Sequence, residues 1–349
     1  MSREIIAQNC ICNVKDVATH QILNEVLYET NSLRDYFECY NIPQKNLYEG
    51  EESYIRLSGF GMGEKNSIES ILEKISSSEY VLKDIAYIKQ GIVSGADKYT
   101  DAHERKYHLG YTKGEGIFVL HQQEINALEL SDEEREFIKE VYKNSQVEKY
   151  KINYDGELNV LYVTKESKPD KIPCIINHLQ KFKPILESKR ETKEGKLPWY
   201  SLHWPRDRFL FESDEKIINS RRAKSNIFAL DTRRCYEQSD LMISVIKDDY
   251  KKKLPAKYVL ALLNSKLYYV WLKNKGKLKG DMLEMFGAPL EEIPIKVPSD
   301  EFNDKITKIV DLLLDDNSQS DYYIEIDELI YDLFDLSPEE KEIMRNYNK

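Results

Sequence analysis

Between residues 209 and 246 the chain carries four short β-forming runs, FLF (209–211), KIINS (216–220), NIFALD (226–231) and LMISVI (241–246), separated by polar turns. Upstream, YVLKDIAYIKQGIVSGADKY (80–99), IFVL (117–120) and LNVLYVT (158–164) have the same character, with Gly91 and Gly95 placed for tight turns. Helical patterns interrupt these clusters without a regular β-α alternation. That arrangement predicts an α+β fold, a mixed-sheet domain flanked by helices.

The helical patterns are themselves legible. Ile22, Val26, Leu27, Leu33, Phe37 and Tyr40 recur at helical spacing within residues 1–45, and Ile68, Ile71, Leu72 and Ile75 form one stripe over 66–77. SDEEREFIKEVY (131–142) opens with Ser131 as cap and Glu134 three residues on, and a further helix is predicted over 172–190. Tyr258, Val259, Leu262, Leu263, Leu267 and Val270 mark a helix over 255–273, and two acidic helices follow at 301–315 and 324–334. The expected division is a helical N-terminal region (1–79), a central domain (80–298) and an acidic helical C-terminal region (299–349).

The net charge of −10 hides a strong segregation. Residues 1–170 carry 20 basic and 30 acidic side chains, 171–280 carry 25 and 12, and 281–349 carry 6 and 19. The segments therefore hold −10, +13 and −13, and a basic middle between acidic ends is the sequence form of a local nucleic-acid footprint. A solvated Lys-rich helical face would give the same count. No apolar run is long enough to span a bilayer, and the N-terminus lacks a signal-peptide pattern, so a cytoplasmic protein is expected. Five cysteines, odd in number and mostly far apart, suit reduced thiols. Cys10 and Cys12 lack the second pair a zinc site needs, so no metal site is expected.

Two motifs imitate catalytic sites. GFGMG (59–63), with Asp84 about 20 residues on, resembles a nucleotide or S-adenosylmethionine loop, but the strand before it is charged. Asp170 with Glu194 and Lys196 fits the loose pattern of a Mg²⁺-dependent nuclease, although Glu194 and Lys196 flank a glycine in a polar loop. No Asn-Pro-Pro-Tyr or Asp-Pro-Pro-Tyr tetrapeptide is present to hold an extruded base for amino-methylation. No catalytic residue is assigned.

WYSLHWPRDRFLFESDEKIINSRRAKSNIFALDTRRCYEQSD (199–240) resembles the TaqI-like C-terminal specificity domain of adenine-specific DNA methyltransferases and fused type II restriction–modification enzymes. YIKQGIVSGADKY resembles that family's opening motif, LALLNSKLYYVWLK its Leu-Leu-Asn-Ser helix and LEEIPIKVP its closing strand. IDELIYDLFDLSPEEKEIM is similar to the tail of larger fused enzymes. Family members usually carry a methyltransferase domain upstream, whereas fewer than 90 residues of this sequence precede the opening motif. A separate specificity subunit, a gene remnant or an excised piece would each explain this. Glu215 stands where the family pattern has proline.

The resemblance implies a target-recognition domain that reads double-stranded DNA and positions a methyltransferase or methyltransferase–nuclease. S-adenosylmethionine and Mg²⁺ would then be bound only by that partner. Arg206, Arg208, Lys216, Arg221, Arg222 and Lys224 are the candidate base or phosphate contacts, and Lys273, Lys275, Lys277 and Lys279 are candidate phosphate contacts from a flexible loop. Trp199, Tyr200 and Trp204 are expected first to pack in the core, with base stacking by Trp199 and Tyr200 as the second role. Asn264 and Ser265 are expected to satisfy backbone. The alternatives are a divergent Mg²⁺-dependent endonuclease, or a protein-interaction subunit that binds no DNA, its basic centre folded against the acidic helices.

Overall fold

A computed structural model describes residues 6–11, 38–43, 48–49, 54–55, 65–315 and 320–347. The chain divides into two compact units, residues 1–74 with 336–349, and residues 75–335.

In the first unit, β1 (Ile6–Ile11) pairs antiparallel with β2 (Glu38–Pro43), and β3 (Tyr48–Glu49) with β4 (Tyr54–Ile55). The helical reading of residues 1–45 is corrected at both ends of that stretch, because residues 6–11 and 38–43 form a ladder. Residues 12–37 and the GFGMG motif lie outside the described residues. The helix Lys65–Ser76 matches its prediction, with Ile71, Leu72 and Ile75 buried. A C-terminal helix that the sequence reading omitted, Pro338–Asn346, starts at a capping box of Ser337 and Glu340. Glu340 also accepts from Ser70 (2.9 Å) and from Lys74 (2.6 Å).

The second unit holds β5 (Tyr80–Val81), β6 (Ala86–Gln90), β7 (Val119–His121), β8 (Ile138–Tyr142), β9 (Leu158–Leu161), β10 (Lys216–Ser220), β11 (Arg222–Ala223) and β12 (Phe228–Asp231). It continues with β13 (Tyr236–Glu237), β14 (Leu241–Ile246), β15 (Lys277–Lys279), β16 (Met282–Glu284) and β17 (Pro294–Ile295). The central sheet has the order β12-β10-β14-β6 and is wholly antiparallel. A second sheet, β13-β8-β9-β7, is mixed, since β13 runs parallel to β8 while the other pairs are antiparallel. The fold is α+β.

Period-two alternation divides the central sheet. Ile218, Ala229, Ile243 and Val245 join the core shared with the second sheet and the helices around Ile175, Phe182 and Leu186. On β12, the backbone of Phe228 is held by Asn264 at the end of the helix Ala256–Asn264. Behind that helix stands Asp300–Asp315, joined to it by an ion pair between Lys257 and Asp311 (2.6 Å).

Several predicted elements change type. The helix expected over 131–142 stops at Arg135, and residues 138–142 become β8, the strand between β9 and β13. Cross-strand pairing overrides the local helical pattern there. The capping box was correct, and buried Glu134 also accepts from the N–H groups of Cys174 (2.7 Å) and Ile175 (3.2 Å), tying the turn to helix Pro173–Gln180. FLF forms a helical turn, Arg208–Phe211, that buries Leu210 and Phe211. The helix over 255–273 is two helices broken at Ser265, and Lys277–Lys279 is a strand instead of a flexible loop. No described helix is long and apolar enough to cross a membrane.

Candidate nucleic-acid interface

Five of the candidate cations converge on one small sheet, β11-β16-β15. Glu284, on its central strand, lies opposite Arg222 on one side and Lys277 on the other. The buried Glu284 carboxylate accepts from Arg222 (2.8 Å) and approaches Lys277 at 3.2 Å, and these cations hold its pKa below the usual carboxylate range. Lys224, strongly exposed, lies 3.5 Å from Asp281, while exposed Lys279 has no carboxylate partner among the described residues. Arg221 and Arg222 stand 4.4 and 5.4 Å from the ring centre of Phe286. Five cations against Glu284 and Asp281 leave this sheet positive. Lys273 and Lys275 are half-buried at the end of helix Lys266–Lys275, where a cation suits the helix dipole, and Lys273 lies over Tyr269.

Arg206 and Arg208 occupy a different place. Arg206 has a left-handed backbone (φ 65°), and its guanidinium donates to Gly91 O (3.3 Å) and Gln90 Oε1 (3.2 Å) above the Trp204 ring. The exposed side chain of Arg208 is engaged twice by Glu212, at 2.7 and 3.1 Å. It also borders a cleft of about 740 Å³ lined by Lys139, Lys168 and Lys171 but equally by Glu133, Glu136 and Glu166. Four cations and three carboxylates give that cleft no strong sign.

Lys216 is withdrawn from the candidate contacts because it is sealed from solvent. Its ammonium lies 3.0 Å from Asp231 and 2.7 Å from Glu237, both fully buried, and it donates to Cys235 O. Tyr142 donates to Glu237 (2.8 Å) and Tyr154 to Asp231 (2.9 Å), so the cluster clamps β8, β10, β12 and β13 together. Burial alone would lower the Lys216 pKa, but the two carboxylates outweigh it and raise it. Glu237 is pushed up to about 8 by burial, against the pull of Lys216.

Trp199 and Tyr200 pack against the core, 5.7 Å apart and edge-on. Lys183 lies over the Trp199 ring, and the Tyr200 hydroxyl donates to Ser167 O, so both rings have partners within the chain. The exposed ring of the cluster is Trp204, at 49%. Nothing in the run PWYSLHWPR distinguished it from Trp199. Asn264 bonds both backbone groups of Phe228 and Ser265 caps the following helix, as expected of them. At Gly91 a Cβ would sit 2.2 Å from Gln238 O, so the chain there requires glycine for close approach.

Residues 139–295 match the TaqI-like C-terminal specificity domain, which is the stretch holding both the buried Lys216 cluster and the cationic sheet. This segment is a TaqI-like specificity domain. Curated relatives of the chain are type II methyltransferases. M.HincII of Haemophilus influenzae is 28% identical over 153 residues, covering 41% of this chain and 30% of that protein. M.MjaIV of Methanocaldococcus jannaschii is 24% identical over 241 residues, covering 66% and 71%. The match thus spans less than a third of the Haemophilus relative's length. Among solved structures, the type IIL restriction–modification enzyme MmeI, determined in complex with DNA, aligns over 74% of this chain and 33% of its own with TM-score 0.48 and 9% identity. The opening motif around Gly91 precedes the matched specificity domain but is bonded to it, through Gly91 N to Leu241 O and Ile92 N to Glu237 O.

Proposed function

We propose that this chain is a DNA sequence-recognition module of a restriction–modification system, which positions a methyltransferase or methyltransferase–nuclease on its site. The observation that carries this reading is the positive β11-β16-β15 sheet within the specificity domain. Arg221, Arg222, Lys224, Lys277 and Lys279 lie there on or beside the edge strands of a three-stranded sheet, where they could serve as phosphate contacts. The partner would bring S-adenosylmethionine for methylation and Mg²⁺ for cleavage.

The internal pairing of this sheet favours the reading over a basic centre folded onto acidic helices. Arg222 and Lys277 use Glu284, and Lys224 uses Asp281, all within the same small sheet and its turn. In the nuclease alternative, Glu194 is already engaged by Arg190 (2.8 Å) and Lys196 (2.6 Å).

Selection from a randomised duplex pool, with the full chain alone and with its cognate methyltransferase, tests the proposal. Enrichment of one sequence, with affinity falling steeply as salt rises, is expected. Failure to enrich any sequence in both formats refutes it.

A further inference from the structure

The loops at one end of the central sheet form a single bonded junction that leads into the cationic sheet. Gln90, which closes β6, pairs with Met242 near the start of β14, and Ser220, which closes β10, pairs with Leu241. Arg221 follows directly, and its N–H donates to Asp240 O (3.1 Å). Gln90 donates to Ser239 O, and Gly91 approaches Gln238 O closely. Val93 and Trp204 exchange two backbone hydrogen bonds, 3.1 and 2.9 Å, while Arg206 reaches back to Gln90 and Gly91. The turns at 90–93, 204–206 and 238–240 are therefore fixed relative to one another and to Arg221.

Two side chains at this junction have surface that the protein does not use. Trp204 is half exposed, with the Arg206 guanidinium 5.3 Å from its ring centre and the His203 ring 4.6 Å away. Gln238 is partly exposed, and its side-chain amide has no partner among the described residues. An aromatic face and a free amide on turns whose backbones pair with the successive residues Val93 and Ile92, with Arg206 over the ring, suit a base pair better than a phosphate. An amide can bond N6 and N7 of adenine in the major groove, and an apolar face can rest on the thymine methyl.

We infer that this junction reads an A·T base pair, with Gln238 hydrogen-bonding the adenine edge and Trp204 packing on the thymine side. The inference rests on the DNA-recognition reading and assigns it residues that determine specificity. The cationic sheet supplies grip, and the junction supplies sequence.

Enrichment from a randomised duplex pool, followed by affinity measurements on the enriched duplex and its single-base variants at fixed salt, separates the two ideas. For the parent chain, the enriched site should contain an A·T pair whose replacement by G·C weakens binding. Q238A should lose about tenfold or more of that discrimination at this one position. W204A should weaken the same step, and W204F, which keeps an aromatic face, should restore it; a thermal melt shared with the parent confirms that each variant is folded. Parent-like discrimination in both Q238A and W204A overturns this inference and leaves DNA recognition standing. A parent chain that enriches no sequence overturns both.

Discussion

Replacing Lys216 by methionine removes the cation buried with Asp231 and Glu237 while keeping most of the side-chain volume. Its ammonium lies 3.0 Å from Asp231 and 2.7 Å from Glu237, with all three side chains at 0% exposure. Without it, Asp231, and Glu237 once it ionises near pH 8, retain hydrogen bonds from Tyr142, Tyr154 and the Arg233 N–H but no compensating charge. Breaking a buried pair by removing one partner costs about 3–5 kcal/mol. At about 2–4 °C per kcal/mol for a unit of this size, K216M should melt roughly 6–20 °C below the parent.

The same cluster sets a pH dependence whose sign can be worked out. Glu237 is raised from 4.5 to about 8 in the folded chain, so between those values the folded state holds a proton that the unfolded state has released. Its contribution to stability is present at acid pH and is lost as pH rises through about 8. E237Q should remove that dependence, and K216M should steepen it because both carboxylates then resist ionising. Thermal melts at pH 6, 7, 8 and 9 read all three. A K216M midpoint within 2 °C of the parent at pH 8, or parallel pH profiles for parent and E237Q, would refute the argument.

Removing Lys224 and Lys279 together should weaken binding to all duplexes alike and make the log–log salt slope shallower by roughly 1.8, measured by fluorescence anisotropy. Asn264→Ala leaves both backbone groups of Phe228 without their side-chain partner, at 3.0 and 2.8 Å, and should cost about 1–3 kcal/mol in a denaturant melt. Gly91→Ala drives a Cβ toward Gln238 O and should lower the melting midpoint, with accelerated amide exchange at residues 90–93 and 238–241.

The strands KIINS, NIFALD and LMISVI were legible because short apolar runs (Ile217–Ile218, Ile227–Leu230, Leu241–Ile243) lie between polar turns, and the structure buries every residue of β10, β12 and β14. The Ser131 cap was legible for a similar reason, since a capping box is a local signature. The continuation of its helix was not, because residues 138–142 are recruited into a sheet by β9 and β13, which lie far away in sequence. Lys216 shows the limit for function. In sequence it is one lysine among several near turns, and only the folding of Asp231 and Glu237 onto it converts it into a structural ion. Trp204 and Trp199 are likewise equivalent in sequence, and packing alone separates the exposed ring from the covered one.

Glu284 illustrates how the same pairing of charges serves opposite ends at the surface. One buried carboxylate stands between Arg222 and Lys277, yet those side chains remain 42% and 59% exposed. Arg222 spends Nε and Nη2 on the acid, which leaves its Nη1 without a carboxylate partner among the described residues. The carboxylate cancels one positive charge in the field but fixes two cations at positions set by the strand spacing, a neighbour on either side of β16. Two flexible lysines would offer a DNA backbone more charge and a larger entropic penalty on ordering. Holding the cations in place before binding gives up some long-range attraction in exchange for registry. On the proposed reading, registry matters more than raw attraction, which acts on every sequence equally.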